Sequence, residues 1–138
     1  MKYLMDTCVV SELISKQPNT NVVNYVDSLD IEDVFLSVIT VGEVARGIHK
    51  LPNSKRRQEL ERWLDEDLLI RFEGNIIPLD THILIQWGDL SARLEKTGIT
   101  LPVMDALIAA TALTHHMTLI TRNESDFENT GIQIVNPW

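Results

Sequence analysis

The chain has 138 residues, 44% of them apolar, and a formal net charge of −8. That length suits one domain, residues 1–138, able to hide roughly 68–70% of its unfolded surface, and its one cysteine, Cys8, excludes an internal disulfide and a Cys-based zinc site. No signal peptide follows Lys2 and no run approaches the roughly 20 apolar residues of a spanning helix, so a soluble, cytoplasmic protein without a membrane partner is expected.

Tyr3 to Met5 reads as a short apolar strand that delivers Asp6 to the start of a helix, with Thr7 beside it as a polar cap. Lys16-Gln17-Pro18 ends that helix. Asn19 to Asn21 cap a second, on which Val22, Val26 and Leu29 recur at helical spacing. Val34 to Val38 is β-rich, and Thr40-Val41-Gly42-Glu43 has the form of a capping box opening a helix to about His49. After the break at Leu51 to Ser54, Lys55 to Leu69 places Leu60, Trp63, Leu64 and Leu68 on one face, and the two helices are expected to form a projecting hairpin.

Ile76 to Leu79, with Pro78 inside it, suggests an edge strand or a strand start, and Asp80 a helix cap. Ile83, Trp87, Leu90 and Leu94 form an apolar stripe that Gly98 terminates. Leu101 to Leu113 opens with Pro102 and has almost no polar face, so that helix should be buried on most sides. Thr118 to Thr121 is a strand, Arg122 to Asp126 a polar loop, and Ile132 to Val135 a last strand. Strands alternating with helices imply right-handed crossovers and an α/β fold: a three-layer α/β/α sandwich around a mainly parallel sheet of about five strands.

In such a sheet the carboxyl ends of the strands share one rim. Asp6, Glu43, Asp80, Asp105 and Asp126 all fall near those ends and are expected to converge. Each has a structural explanation as a cap or loop organiser, except Asp105. Val103, Met104, Ala106, Leu107 and Ile108 surround it, where an uncompensated charge is costly. Gathered carboxylates repel, which raises their pKa values unless a cation binds among them. All-oxygen sites suit Mg²⁺ or Mn²⁺, and two such ions roughly 3.5–4 Å apart would stabilise both the attacking and the leaving oxygen of a phosphodiester. Phosphodiester hydrolysis is the natural chemistry.

The acidic balance argues against a nucleic-acid partner, but Arg46, Lys50, Lys55, Arg56 and Arg57 place five of the twelve basic residues within twelve positions, with no acid from Lys50 to Arg57. The run reads either as a local basic rim or as a solvated helix–loop face.

Taken together, the M-D-T start with Asp6, S-x-I-T-V-G-E ending at Glu43, D-A-L-I-A-A-T-A from Asp105 and L-I-T-R-N-E-S-D-F leading to Asp126 resemble the PIN-domain ribonucleases. The likeness covers the whole chain and is nearest to the VapC-type toxins of type II toxin–antitoxin systems, including a FitB-like branch whose members tend to end in N-P-W. It implies a Mg²⁺- or Mn²⁺-dependent endoribonuclease, usually a homodimer, restrained by a VapB-type antitoxin whose C-terminal segment fills the acidic groove.

By the same resemblance Asp6, Glu43 and Asp105 match the three core acids. Many members have an acid where Asn123 stands, and Asp126, three residues later, is taken as the carboxylate that fills that role. Asp6 and Asp105 would then be direct metal ligands, Glu43 a ligand or the group orienting the attacking water, and Asp126 an outer or second-metal ligand. Asn123, Thr7, Ser11 and Thr121 would be polar supports, and Arg46 with Lys50, Lys55, Arg56 and Arg57 would hold RNA phosphates. His49, His115 and His116 sit in no motif, and Trp63 and Trp87 read as packing or dimer contacts.

Phospho-aspartyl enzymes also place Asp after a first strand, but Cys8 stands where a dehalogenase-like fold needs a second Asp. No lysine follows Thr118, as a receiver domain would require, and no G-x-G-x-x-G follows Met5. The non-enzymatic alternative is a binding module that sequesters a basic partner in an acidic groove, which leaves Asp105 in its apolar helix unexplained.

Overall fold

The computed structural model of the protein describes all of residues 1–138. Five strands, β1 (Tyr3–Met5), β2 (Val34–Ser37), β3 (Ile76–Ile77), β4 (Thr118–Ile120) and β5 (Ile134–Val135), form one sheet in the order β3-β2-β1-β4-β5. Every pairing is parallel, with Tyr3 opposite Val34 on one side and Thr118 on the other. Side chains alternate between faces. Met5, Leu36 and Ile120 enter one buried cluster, while Leu4, Ile77 and Leu119 enter a second on the opposite face.

The first cluster is closed by α1 (Thr7–Leu13), α2 (Thr20–Ser28), α3 (Val38–His49), α4 (Lys55–Arg62), a π-helical stretch (Trp63–Leu68) and Phe72, which follows the short α5 (Leu69–Arg71). The second is closed by α6 (Thr81–Lys96), α7 (Val103–His115) and Phe127 of α8 (Glu124–Phe127). Helices on both faces of a parallel sheet make the expected three-layer α/β/α sandwich. The Ile76–Ile77 strand lies at the sheet edge as its proline suggested, and Gly98 ends α6 with φ +76°. No helix is long and apolar enough to cross a membrane.

Three local expectations are corrected. Thr40 does not open its helix: the Ser37 hydroxyl accepts from Ile39 N at 3.0 Å, so α3 begins at Val38 and Glu43 lies inside it. The α3–α4 hairpin does not project, because Val44, Ile48, Leu60 and Leu64 are buried in the first core. The segment after Lys55 is not uniformly α-helical either. Residues four apart drift by about 40° per step around an α-helix, and the wider π turn helps to keep Leu60, Leu64, Leu68 and Phe72 on one buried face.

The strand order sets the location of a site. From β1 the chain steps outward through β2 to β3, then returns to the other side of β1 as β4. The connections leaving β1 and β4 therefore diverge at their carboxyl ends, the crevice where open α/β sheets gather ligands. Asp6 and Thr121 occupy the first positions after those two strands.

Candidate metal centre

Asp6 is 4% exposed and caps α1. Its Oδ1 accepts from Thr7 N at 2.8 Å, its Oδ2 from the Thr121 hydroxyl at 2.9 Å, and the Cys8 thiol lies 3.7 Å from Oδ2. The backbone N–H of Asp6 donates to Ile120 O at 3.0 Å, stitching the ends of β1 and β4 together. Burial pushes the carboxyl above its usual range, the donors from Thr121 and Thr7 oppose that, and the charge of Glu43 adds to it.

Glu43 reaches the same place from α3. The Thr7 hydroxyl donates to Glu43 Oε1 at 2.7 Å and lies 3.3 Å from the hydroxyl of the buried Thr40. Thr7 thus joins two of the expected acids, taking hold of Glu43 by its side chain and Asp6 by its backbone N–H. Thr121 holds Asp6 and also accepts from Asn123 N at 3.0 Å, which ties the loop after β4 to the first acid. Thr40 and Cys8 were not singled out as neighbours of the acids. Once α3 starts at Val38, the three-residue spacing of Thr40 and Glu43 would have placed both on one face.

Asp105 stands in the first turn of α7. Its carboxyl is pushed up to about 6, first by burial and then by the charges of Asp6, Glu43 and Asp126. Those causes put the four acids in one electrostatic neighbourhood. The fifth is elsewhere: Asp80 caps α6, accepting from Ile83 N at 2.9 Å, and it follows β3, two strands and about 10 Å from β1. Asp126 is exposed in α8, and Asn123 is exposed just before it. Ser11 is exposed further along α1.

No cation of the chain compensates this cluster. The two ion pairs present are Arg57–Glu61 and Arg93–Asp89. As the side chains stand, no three Asp, Glu, His or Cys residues form a ready-made ligand set. The donors are nonetheless of one kind, carboxylate oxygens without histidine, which fits a hard divalent cation.

The basic run is divided. Arg56 donates from Nη2 to Ile14 O at 2.7 Å, and Arg57 is held by Glu61 at 2.8 Å and by Leu51 O at 3.2 Å. Lys50 and Lys55 are exposed, and Arg46 lines a cleft of about 410 Å³ with Val38, Gly42, Glu43 and Met104. His115 and His116 lie at the far end of α7, about 15 Å along the helix from Asp105, and His49 is exposed at the end of α3. Trp63 and Trp87 are half-buried and pack against the first and second cores.

The chain matches the PIN domain family over residues 3–133. It is 37% identical over 135 residues to Toxin FitB of Neisseria gonorrhoeae, covering 98% of this chain and 97% of that protein. It is 36% identical to VapC ribonuclease Y4jK of Sinorhizobium fredii, with 98% and 96% covered. Among solved structures, FitAcB from Neisseria gonorrhoeae superposes with a TM-score of 0.94 at 37% identity, covering 99% of this chain and 98% of that one. A toxin–antitoxin complex from Klebsiella pneumoniae superposes with a TM-score of 0.72 at 28% identity, with 99% and 98% covered.

Proposed function

Because the chain belongs to the PIN-domain family, and within it to the FitB- and VapC-type toxins, we propose that it is the toxin of a type II toxin–antitoxin pair, a Mg²⁺- or Mn²⁺-dependent endoribonuclease. The observation that carries this is Asp105, raised to about 6 beside three other acids with no cation among them. A cluster of that kind costs stability unless it binds a positive ligand. When bound, a divalent ion supplies the Lewis acidity that phosphodiester hydrolysis at neutral pH needs.

Asp6 and Asp105 are the direct ligands in this scheme. Asp105 carries no hydrogen bond that resists its turning toward the ion, whereas Asp6 is held in place by Thr7 and Thr121. Glu43, fixed by the Thr7 hydroxyl, accepts a proton from the attacking water or orients it. Asp126 completes the set from outside, and Asn123 supports it through its side-chain oxygen. Arg46, Lys50 and Lys55 take the RNA phosphates. Arg56 and Arg57, already committed to carbonyl and carboxylate oxygens, shape the hairpin that presents them.

The partners follow from the same surface. The Klebsiella pneumoniae relative is a toxin–antitoxin complex, and a VapB-type antitoxin that enters this acidic rim must bring positive charge to it. Leu84, Ile85, Val103 and Met104 are exposed apolar residues of α6 and α7, of the kind a homodimer contact would cover. The site of action is the cytoplasm, where RNA is the substrate.

The test is an RNA-cleavage assay on antitoxin-free protein, wild type beside Asp105→Asn, with Mg²⁺, Mn²⁺ or EDTA. Metal-dependent cutting that the substitution abolishes is expected. Cutting that survives EDTA, or that Asp105→Asn leaves at the wild-type rate, contradicts the assignment.

A further inference from the structure

The fourth acid stands on an element that cannot hold itself in place. Asp126 belongs to a helix of four residues, far below the length at which a helix is stable alone. Its C-terminal side is anchored by Phe127, 1% exposed in the second core. On its N-terminal side Arg122, Asn123 and Glu124 are all exposed, so burial does not fix them.

That side is tied at Asn123, whose N–H donates to the Thr121 hydroxyl at 3.0 Å, and its exposed flanks Arg122 and Glu124 are gripped by the segment 136–138. Asn136 Nδ2 donates to Glu124 Oε2 at 3.1 Å, and the Arg122 guanidinium lies 5.2 Å from the centre of the Trp138 ring. The segment is itself held. Trp138 packs against the first core, its backbone N–H donates to Asn136 Oδ1 at 3.1 Å, and Thr121 N donates to Val135 O at 3.0 Å just before it. Pro137 has a fixed φ, which lowers the entropy lost on ordering the grip.

We propose that Asn136-Pro137-Trp138 is a positioning clasp: by holding Arg122 and Glu124 it keeps the 122–126 segment where Asp126 serves the metal site. This rests on the proposed role of Asp126 as the fourth acid. Trp138, Asn136 and Arg122 are positioning residues in it, with no contact to substrate.

Mn²⁺ affinity of the full-length, metal-free protein, followed by electron paramagnetic resonance at constant pH, tests it in six proteins: wild type, Trp138→Ala, Trp138→Phe, Arg122→Gln, Asp126→Asn and the Asp126→Asn/Trp138→Ala double variant. Losing the cation–ring contact should weaken Mn²⁺ binding roughly two- to fivefold in Trp138→Ala and in Arg122→Gln, and Trp138→Phe should restore most of it. In the Asp126→Asn background Trp138→Ala should cost nothing further, because its effect passes through Asp126.

Thermal melts identify any variant that fails to fold. If Trp138→Ala does, Arg122→Gln decides, since it removes the cation and leaves the core intact. Unchanged affinity in a folded Trp138→Ala or Arg122→Gln protein overturns the clasp, as does an equal loss with and without Asp126. Wild-type affinity in Asp126→Asn overturns the fourth-acid role and the clasp together, whereas a defect there with none in Trp138→Ala and Arg122→Gln overturns the clasp alone.

Discussion

At the carboxyl rim of the sheet, Asp6, Glu43, Asp105 and Asp126 crowd together with no ion-pair partner, while along the α3–α4 hairpin Arg56 and Arg57 have theirs already. In sequence both regions look alike, a handful of like charges near helix starts. The difference lies in who answers the charge. Arg57 meets Glu61 one helical turn away on its own helix, and Arg56 meets a carbonyl of α1's C-cap. Asp6 and Glu43 meet only neutral donors, the hydroxyls of Thr7 and Thr121, the Thr7 backbone N–H and the Cys8 thiol, which orient them without cancelling their charge. Unanswered charge at a strand-end crevice is what makes the acids the candidate site, and answered charge leaves Arg56 and Arg57 as part of the scaffold.

Removing a member of the unanswered set should have the largest effect. Asp105→Asn or Asp6→Asn is expected to lower RNA cleavage about a hundred- to thousandfold, the several kcal/mol that metal-assisted stabilisation contributes, with the far-ultraviolet circular dichroism unchanged. Thr7→Val comes next: it deletes the hydroxyl that fixes Glu43 and keeps the helix start. A hydrogen bond to a charged group contributes about 1.5–3 kcal/mol, so kcat should fall about tenfold or somewhat more in single-turnover assays. Equal rates would mean that Glu43 is placed by something other than Thr7.

Among the cations the two roles separate. Lys50→Gln with Lys55→Gln should weaken RNA binding to the inactive Asp105→Asn protein severalfold and flatten its salt dependence. Arg56→Gln should leave RNA affinity nearly unchanged and cost about 1 kcal/mol of stability, read from denaturant midpoints. If Arg56→Gln weakens RNA binding as much as the lysine pair, the division of the basic run is wrong.

The smallest effect is a trend in stability with pH. The Asp105 carboxyl is raised from 3.8 to about 6 in the fold, so between those values the folded protein binds more protons than the unfolded chain. Stability therefore falls as pH rises through that window. Metal-free protein should melt at a higher temperature near pH 5 than near pH 7.5. Asp105→Asn should reduce that difference, and Mg²⁺ should raise the melting temperature chiefly at the higher pH.

The placement of two candidate acids was readable before the fold, because β1 running into Asp6 and an acid inside the apolar Val103–His115 helix are local patterns whose cost is visible in sequence. What was not readable depends on distant partners. Asp80 looks like Asp6, yet it follows the edge strand rather than the central one, which only the strand order reveals. Val34 to Val38 reads as β-rich and Thr40 as the helix cap, whereas Ser37 caps the helix and starts it at Val38, a β-branched residue that local propensity assigns to the strand. The commitment of Arg56 to Ile14 spans 42 residues, beyond any local pattern.

The most direct test is a Mn²⁺-soaked crystal measured at the manganese absorption edge. An anomalous peak bounded by Asp6, Glu43 and Asp105, lost in crystals of Asp105→Asn, is the expected result. A folded wild-type protein with no peak there at saturating Mn²⁺, or a peak that persists without the Asp105 carboxylate, would contradict a metal centre built from these acids.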